Sequence, residues 1–155
     1  LTVLKCGTYP NEVADQGHHE FSYAIYPHGG DFRRGQTVKQ AYSFNQPLES
    51  LKVSNKASGV FGDEFSFLSA DRENIIIDTI KGAEDSEDVI IRLYDAYNCS
   101  STTKLQFGVP IDRAQICDLM EQEICDVPIS EDNTVELQVK NFEIVTLKVK
   151  KRVHI

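Results

Sequence analysis

The sequence predicts an all-β protein, an antiparallel β-sandwich of about eight to ten strands with one short helical segment near 34–44. Three observations indicate this fold. Apolar and polar residues alternate with a period of two over most of the chain, as in half-buried strands. Turn residues separate the alternating runs. The runs recur at intervals of about 8–15 residues, which is the spacing typical of a sandwich.

The alternating runs begin at the first residue, because 1–5 already reads as a strand. In the run 19–26, Phe21, Tyr23 and Ile25 fall on one face. The later runs are 74–81, 88–94, 103–107, 135–139 and 145–149. Turn signals lie at 82–88, where the acidic cluster predicts a hairpin loop, and at 109–110, 130–133 and 140–141.

One segment has helical spacing instead. Val38, Ala41 and Tyr42 recur at three and four residues, and Pro47 follows shortly afterwards. A proline disfavours helix at the residue before it, so one or two turns of helix are expected to end near Asn45.

Composition excludes several classes of protein. The net charge of −8 repels phosphate backbones, so we expect no nucleic-acid partner. No apolar run is long enough to cross a membrane. The cysteines Cys6, Cys99, Cys117 and Cys125 form no C-x-x-C pair, and we expect free thiols in a reducing compartment.

The start of the chain indicates a fragment. Leu1 stands where a natural protein begins with Met, and it already belongs to a strand-like run. We expect residues 1–155 to form a single C-terminal β-sandwich domain excised from a longer enzyme. Its function would then be a contribution to that enzyme.

The densest polar cluster contains Asp15, His18, His19 and Glu20, with His28 downstream. Imidazole and carboxylate groups suit zinc, manganese or cobalt. In a strand, however, only His18 and Glu20 share a face, so a satisfied polar strand entrance is the favoured interpretation and no metal site is predicted. His28 is expected to hydrogen-bond within the loop that follows the strand.

Other chemistry has weak support. Paired carboxylates about 5–5.5 Å apart suit a retaining glycosidase, and Asp63–Glu64 and Asp15/Glu20 are the pairs to test among 24 acidic residues. Nothing resembles a serine nucleophile elbow. Tryptophan is absent, which weakens a free-standing sugar-binding module without excluding one.

The same polar segment carries a resemblance to a known family. Residues 15–28 are similar to the D-x-G-x-H-x-F-x-Y-A-[LI]-x-P-H stretch of family 38 α-mannosidases. Further blocks at 40–48, 80–96, 117–121 and 142–147 resemble the same family in the same order. The likeness covers about residues 1–150, lies in the C-terminal β region of the family, and favours its cytosolic or vacuolar branch.

The resemblance implies a function for the whole enzyme. Such enzymes hydrolyse terminal α-linked mannose with retention of configuration, using an aspartate nucleophile and a divalent metal, zinc or possibly cobalt, in an N-terminal barrel. The matched region lacks that barrel, so we expect no catalytic residue and no metal or other cofactor in this chain. Its partners would be the catalytic barrel of the same polypeptide and a mannose-containing oligosaccharide, in the cytoplasm (or vacuole).

The resemblance also suggests a site. Loops of the β region help to wall the substrate cleft in this family, and the loop 8–19 carries Tyr9, Asp15 and His18. These three residues are the candidates for a substrate rim. The alternatives are a free-standing carbohydrate-binding module and a β-domain for homo-oligomerisation.

Overall fold

A computed structural model describes residues 2–54, 59 and 61–152. The chain divides into two compact units, Leu1–Thr37 and Val38–Ile155, which are described separately below. The prediction of a single domain over 1–155 stays a prediction.

The described part of the chain contains one helix and eight strands: α1 (Thr37–Asn45), β1 (Leu68–Ala70), β2 (Ile75–Gly82), β3 (Val89–Asp95), β4 (Ser101–Phe107), β5 (Ile111–Cys117), β6 (Glu123–Val127), β7 (Thr134–Val139) and β8 (Ile144–Lys151). A three-stranded sheet has the order β1-β4-β7, and a five-stranded sheet has the order β2-β3-β8-β5-β6. Every pairing is antiparallel. The predicted all-β sandwich with one short helix is confirmed.

The core lies between the two sheets. Ile91, Leu93 and Leu147 of the five-stranded sheet are fully buried, as are Leu105 and Val135 of the three-stranded sheet, in one apolar cluster. Because successive strand residues point to opposite faces, the neighbours of these core residues point away from the cluster. The strand alternation in the sequence therefore identifies the inner face of each sheet.

The outer face of the five-stranded sheet is more polar. Arg92 on β3 lies opposite Thr146 on β8, and Tyr94 lies opposite Ile144. Arg92 and Tyr94 are the sequence neighbours of the buried Leu93, and Thr146 and Ile144 are the neighbours of Val145, which pairs with Leu93. All four therefore point to the face away from the core. This outer face carries the cleft described in the next subsection.

Asp95, at the end of β3, is a buried carboxylate that joins three stretches of chain, at 74, 95–99 and 142. Its Oδ1 accepts hydrogen bonds from Asn74 Nδ2 at 2.8 Å and the Tyr97 amide at 3.2 Å. Its Oδ2 accepts from the amides of Cys99 at 3.0 Å and Phe142 at 2.9 Å. Burial alone would raise the pKa of Asp95, but these donors together lower it, so the carboxylate is held ionised.

The predicted strands at 1–5 and 19–26 are wrong. The described residues of both runs belong to no strand, and Ile25 is 86% exposed. Phe21 and Tyr23, on the same face by alternation, are also exposed. A strand needs a neighbour for its backbone hydrogen bonds, and neither run has a ladder partner among the described residues.

The turn after this segment is built around His28. The Thr37 hydroxyl lies 3.3 Å from His28 Nε2, and Tyr26 donates to the Gly35 carbonyl at 3.0 Å. A Cβ on Gly35 would stand 2.5 Å from the His28 ring, so only glycine fits there. His28 thus hydrogen-bonds within its loop, as its sequence context suggests.

Two further expectations concern chemistry and membranes. The four cysteines are free thiols, and three of them are exposed. Over the residues that the structure describes, no helix is long and apolar enough to cross a bilayer.

Candidate functional site

The loop 8–19 exposes the predicted rim residues. The Tyr9 side chain is 91% exposed, and Asp15 and His18 are exposed as well. Asp15 has a φ of 54°, which an aspartate tolerates in a turn, and its carbonyl oxygen lies 2.7 Å from His19 Nε2. The described contacts contain no hydrogen bond or ion pair between any two of Tyr9, Asp15 and His18.

The histidines of this loop do not assemble a metal site. His18 Nε2 lies 3.1 Å from Glu20 Oε1, and both side chains are largely exposed. No group of three or more His, Cys, Asp or Glu side chains converges within the described residues. The described residues therefore offer no set of ligands for the zinc that the resemblance places in the barrel of the full enzyme. The acids Asp63 and Glu64 are also exposed.

A second site lies on the outer face of the five-stranded sheet, and we call it the outer-face cleft. It has a volume of about 560 Å³. It is lined by residues of α1, β2, β3 and β8, of the β5–β6 and β7–β8 loops, and of the chain just after β3. They are Val38, Tyr42, Asp78, Arg92, Leu93, Tyr94, Asp95, Ala96, Leu119, Phe142 and Ile144.

One wall of the cleft holds two tyrosines and a carboxylate. The Tyr42 hydroxyl donates to Asp78 Oδ1 at 2.5 Å and lies 3.4 Å from the Tyr94 hydroxyl. The hydrogen bond to Asp78 raises the pKa of the Tyr42 phenol well above its ordinary value. Hydrogen bonds from Tyr42 and then Thr79 lower the pKa of Asp78. The phenol therefore stays protonated beside an ionised carboxylate.

Arg92 is the charged cation of the cleft. Its Nη2 donates to the Leu119 carbonyl at 3.2 Å and lies 4.0 Å from Glu121 Oε1. Lys81 Nζ is 2.6 Å from the same Glu121 oxygen, and the Glu84 amide donates to Glu121 Oε2 at 2.9 Å. These contacts hold the β5–β6 loop over the sheet, and the Lys81 hydrogen bond lowers the pKa of Glu121. The Arg92 Nε is buried with no hydrogen-bond acceptor in the described structure.

Our sequence interpretation missed this cleft. It assigned Tyr42 to the apolar side of a helix and left 118–122 without a role. One signal was present: Ile90, Arg92 and Tyr94 alternate with the core residues of β3, so a charge stands in the middle of an otherwise apolar strand. A charged side chain in such a strand indicates that polar groups of another part of the chain contact it on that face.

Comparison with known proteins bears on both sites. The sequence model described as "Glycosyl hydrolases family 38 C-terminal beta sandwich domain" matches residues 74–147. The chain is 31% identical over 151 residues to human "Alpha-mannosidase 2C1", covering 95% of this chain and 14% of that protein. It is 32% identical over 151 residues to the mouse protein of the same name, with the same two coverages. It is also 28% identical over 151 residues to "Alpha-mannosidase G" of Dictyostelium discoideum, covering 96% of this chain and 14% of that protein.

These relatives are far longer than this chain. The chain spans 14% of the human, mouse and Dictyostelium proteins, about a seventh of their length. The rim loop lies outside the residues that the family model matches, and most of the outer-face cleft lies within them.

Proposed function

We propose that this chain, which belongs to glycosyl hydrolase family 38 through the C-terminal β-sandwich domain at residues 74–147, is a noncatalytic part of a larger retaining α-mannosidase. In that enzyme it packs against the catalytic barrel of the same polypeptide, and its loop 8–19 walls the substrate site. That enzyme cleaves the glycosidic bond of a terminal α-linked mannose in an oligosaccharide. The divalent metal, zinc or possibly cobalt, is held by residues elsewhere on the polypeptide.

The observation that carries this proposal is the uncovered apolar surface before the sandwich. Between residues 2 and 37, several large apolar side chains outside the loop 8–19 are exposed, and those at 21, 23 and 25 alternate in the sequence as in a half-buried strand. They are Val3, Leu4, Phe21, Tyr23, Ile25, Tyr26 and Phe32. Exposed apolar surface of this extent marks an interaction site. The alternation of Phe21, Tyr23 and Ile25 suits pairing with a strand from the rest of the enzyme.

The isolated chain should be inactive. With 4-nitrophenyl α-D-mannopyranoside and added Zn²⁺ or Co²⁺, we expect no release of nitrophenol above the buffer rate. The full polypeptide that carries the chain should hydrolyse the same substrate. Hydrolysis by the isolated chain, at a rate that survives a second purification step, would show that it is catalytic. An inactive full polypeptide would refute the proposed activity.

The rim assignment predicts an effect on substrate binding. In the full polypeptide, Tyr9→Ala should raise the KM for a mannobiose about fivefold, since the lost contact of an aromatic ring with a sugar is worth about 1 kcal/mol. The kcat should stay within about twofold, because a rim contact that is equally strong in the bound substrate and in the transition state changes the KM alone. Steady-state kinetics at several mannobiose concentrations separate the two constants.

A matched control is available in the same loop. Val13 is also exposed and apolar, and Val13→Ala should leave the KM unchanged. Substitution of Asp15 or His18 by Asn or Gln should act in the same direction as Tyr9→Ala. If Tyr9→Ala and Val13→Ala had equal effects on the KM, or none, the loop would not form the rim.

The cytoplasmic (or vacuolar) location is part of the proposal, and the free thiols support a reducing compartment.

A further inference from the structure

We infer that the β5–β6 loop, residues 118–122, is a hinged flap that one carboxylate, Glu121, latches over a buried patch on the outer face of the five-stranded sheet. When the latch is released, the loop swings away as a unit and uncovers that patch, including the thiol of Cys117. The inference concerns the sandwich alone, goes beyond the proposed function and does not depend on it.

The buried patch consists of Cys117, Thr146 and Ile90, on the side of the sheet that points away from the core. Cys117 lies opposite Thr146, and Ile90 lies opposite Lys148, so each pair shares that outer face. Cys117 is 5% exposed, Thr146 3% and Ile90 0%, although none of them points into the cluster between the sheets. Burial raises the pKa of the Cys117 thiol, which keeps it unreactive. Another part of the chain therefore covers this patch.

The β5–β6 loop is that cover. The strand order of the sheet is β2-β3-β8-β5-β6, so a contact between this loop and β2 has to cross both β8 and β3. Glu121 makes the contact, since its Oε1 lies 2.6 Å from Lys81 Nζ on β2 and 4.0 Å from Arg92 Nη2 on β3. The patch lies along this path, because Lys81 pairs with Ile90 and Arg92 pairs with Thr146.

Polar contacts of one side chain and one carbonyl hold the loop down. Besides its two cations, Glu121 accepts a hydrogen bond from the Glu84 amide at 2.9 Å on Oε2, and the Leu119 carbonyl accepts one from Arg92 at 3.2 Å. The apolar side chains of the loop add little, because Leu119 is 64% exposed and Met120 77%. Glu121 is buried, so loss of its charge would leave its partners uncompensated and free the loop.

The closed loop also leaves one polar group unsatisfied. Arg92 Nε is buried without an acceptor in the described structure, and a buried N–H group of this kind is disfavoured. Opening of the loop admits water to the arginine, which offsets part of the lost contacts. Segments held by few apolar contacts open locally at a lower free energy than the whole domain unfolds.

The internal hydrogen bonds of the loop let it move as one piece. Asp118 Oδ1 accepts from the amides of Met120 and Gln122, both at 2.9 Å. The Asp118 amide donates to the Gln122 carbonyl at 3.0 Å and closes the turn. These bonds lie within the loop, so they persist when the latch opens. The register shift against β6 between Ile116 and Cys117, where β5 passes into the loop, supplies the hinge.

The test measures the reactivity of the native Cys117 thiol, which is buried under the loop while the other three cysteines are exposed. The chain is labelled with N-ethylmaleimide, and fragmentation of its peptides in a mass spectrometer scores each cysteine separately. In Glu121→Gln, labelling at Cys117 should be about tenfold faster or more, because glutamine keeps the size of the side chain but loses the charge that holds the two cations. If this variant does not fold, Lys81→Gln removes the closer cation and should act in the same direction.

Glu84→Gln is the matched control. Glu84 lies at the same distance, 2.6 Å, from the same Lys81 Nζ, but it belongs to the β2–β3 turn and its side chain is largely exposed. Its substitution should change labelling at Cys117 by less than about twofold, because exposed ion pairs contribute little. Equal acceleration by Glu84→Gln and Glu121→Gln would overturn the inference.

A second reporter separates opening of the loop from unfolding of the domain. Val149 is fully buried between the sheets, so the thiol of Val149→Cys reacts only when the sandwich unfolds. Glu121→Gln should accelerate labelling at 117 more than at 149, and labelling at 117 should not depend on low concentrations of urea. Equal acceleration at the two positions, or none at 117, would contradict a latched flap. An inactive full polypeptide would refute the proposed activity and leave the flap untouched.

Discussion

Asp95→Asn is expected to lower the free energy of unfolding of the chain by about 2–4 kcal/mol. The carboxylate accepts four hydrogen bonds in a buried position, two on each oxygen. An asparagine keeps the size of the side chain but turns an amide group toward two donors that need an acceptor. Those donors lose their partner without regaining water. Urea unfolding followed by circular dichroism measures the change.

The control for this substitution is an exposed aspartate. Asp112 accepts a hydrogen bond from Arg152 Nε at 2.7 Å, and both side chains are about half exposed. Asp112→Asn should change the free energy of unfolding by less than about 1 kcal/mol, because exposed ion pairs contribute little. Equal effects of the two substitutions would contradict the role given to Asp95.

The pH dependence gives a second readout. The pKa of Asp95 is lower in the folded than in the unfolded protein, so the unfolded state takes up the proton first as the pH falls. The stabilisation by Asp95 is therefore complete above the unfolded pKa, about 4, and is lost as the pH falls through the folded pKa. The difference between wild type and Asp95→Asn should be largest near neutral pH and should shrink below about pH 4.

The sandwich was predictable because its signal is local. In β3 the residues Val89, Ile91 and Leu93 alternate with more polar ones, and this pattern alone identifies a strand and its buried face. The helix near 34–44 was equally predictable, since Val38 and Tyr42 have helical spacing and Pro47 follows.

Weaker strands lack that signal. β1 is only three residues long, and β6 at the edge of its sheet is almost entirely exposed. Because nearly every side chain of β6 is exposed, neither of its faces has to be apolar and no alternation results. Neither was identified in the sequence, and neither was β5, whose buried residues do not follow a strict alternation. Their existence depends on neighbours that are distant in the chain.

The run 19–26 was over-predicted for the converse reason. Its alternation describes which side chains share a face, but a strand also requires a partner.

The outer-face cleft could not be predicted either, because it depends on the β5–β6 loop folding back over β3 through Arg92 and Glu121. Contacts of this kind are set by tertiary packing and leave only the isolated charge of Arg92 as a trace in the sequence.

Leu147→Ala should lower the free energy of unfolding by about 2–5 kcal/mol, the largest effect of any single truncation proposed here. Leu147 lies on β8, the central strand of the five-stranded sheet, opposite Ile91 on one side and Ile116 on the other. It is fully buried in the cluster between the sheets. The truncation removes three carbon atoms and leaves a cavity that neighbours on both sheets cannot fill without moving.

Ile144→Ala on the same strand is the matched comparison. It also removes three carbon atoms, but Ile144 is exposed in the isolated chain. The substitution should therefore change the free energy of unfolding of the chain by less than about 0.5 kcal/mol. If Leu147→Ala does not fold, Ile91→Val tests the same core. It should lower the free energy of unfolding by about 0.5–1.5 kcal/mol. Similar losses for Leu147→Ala and Ile144→Ala in urea unfolding would contradict the two-sheet core.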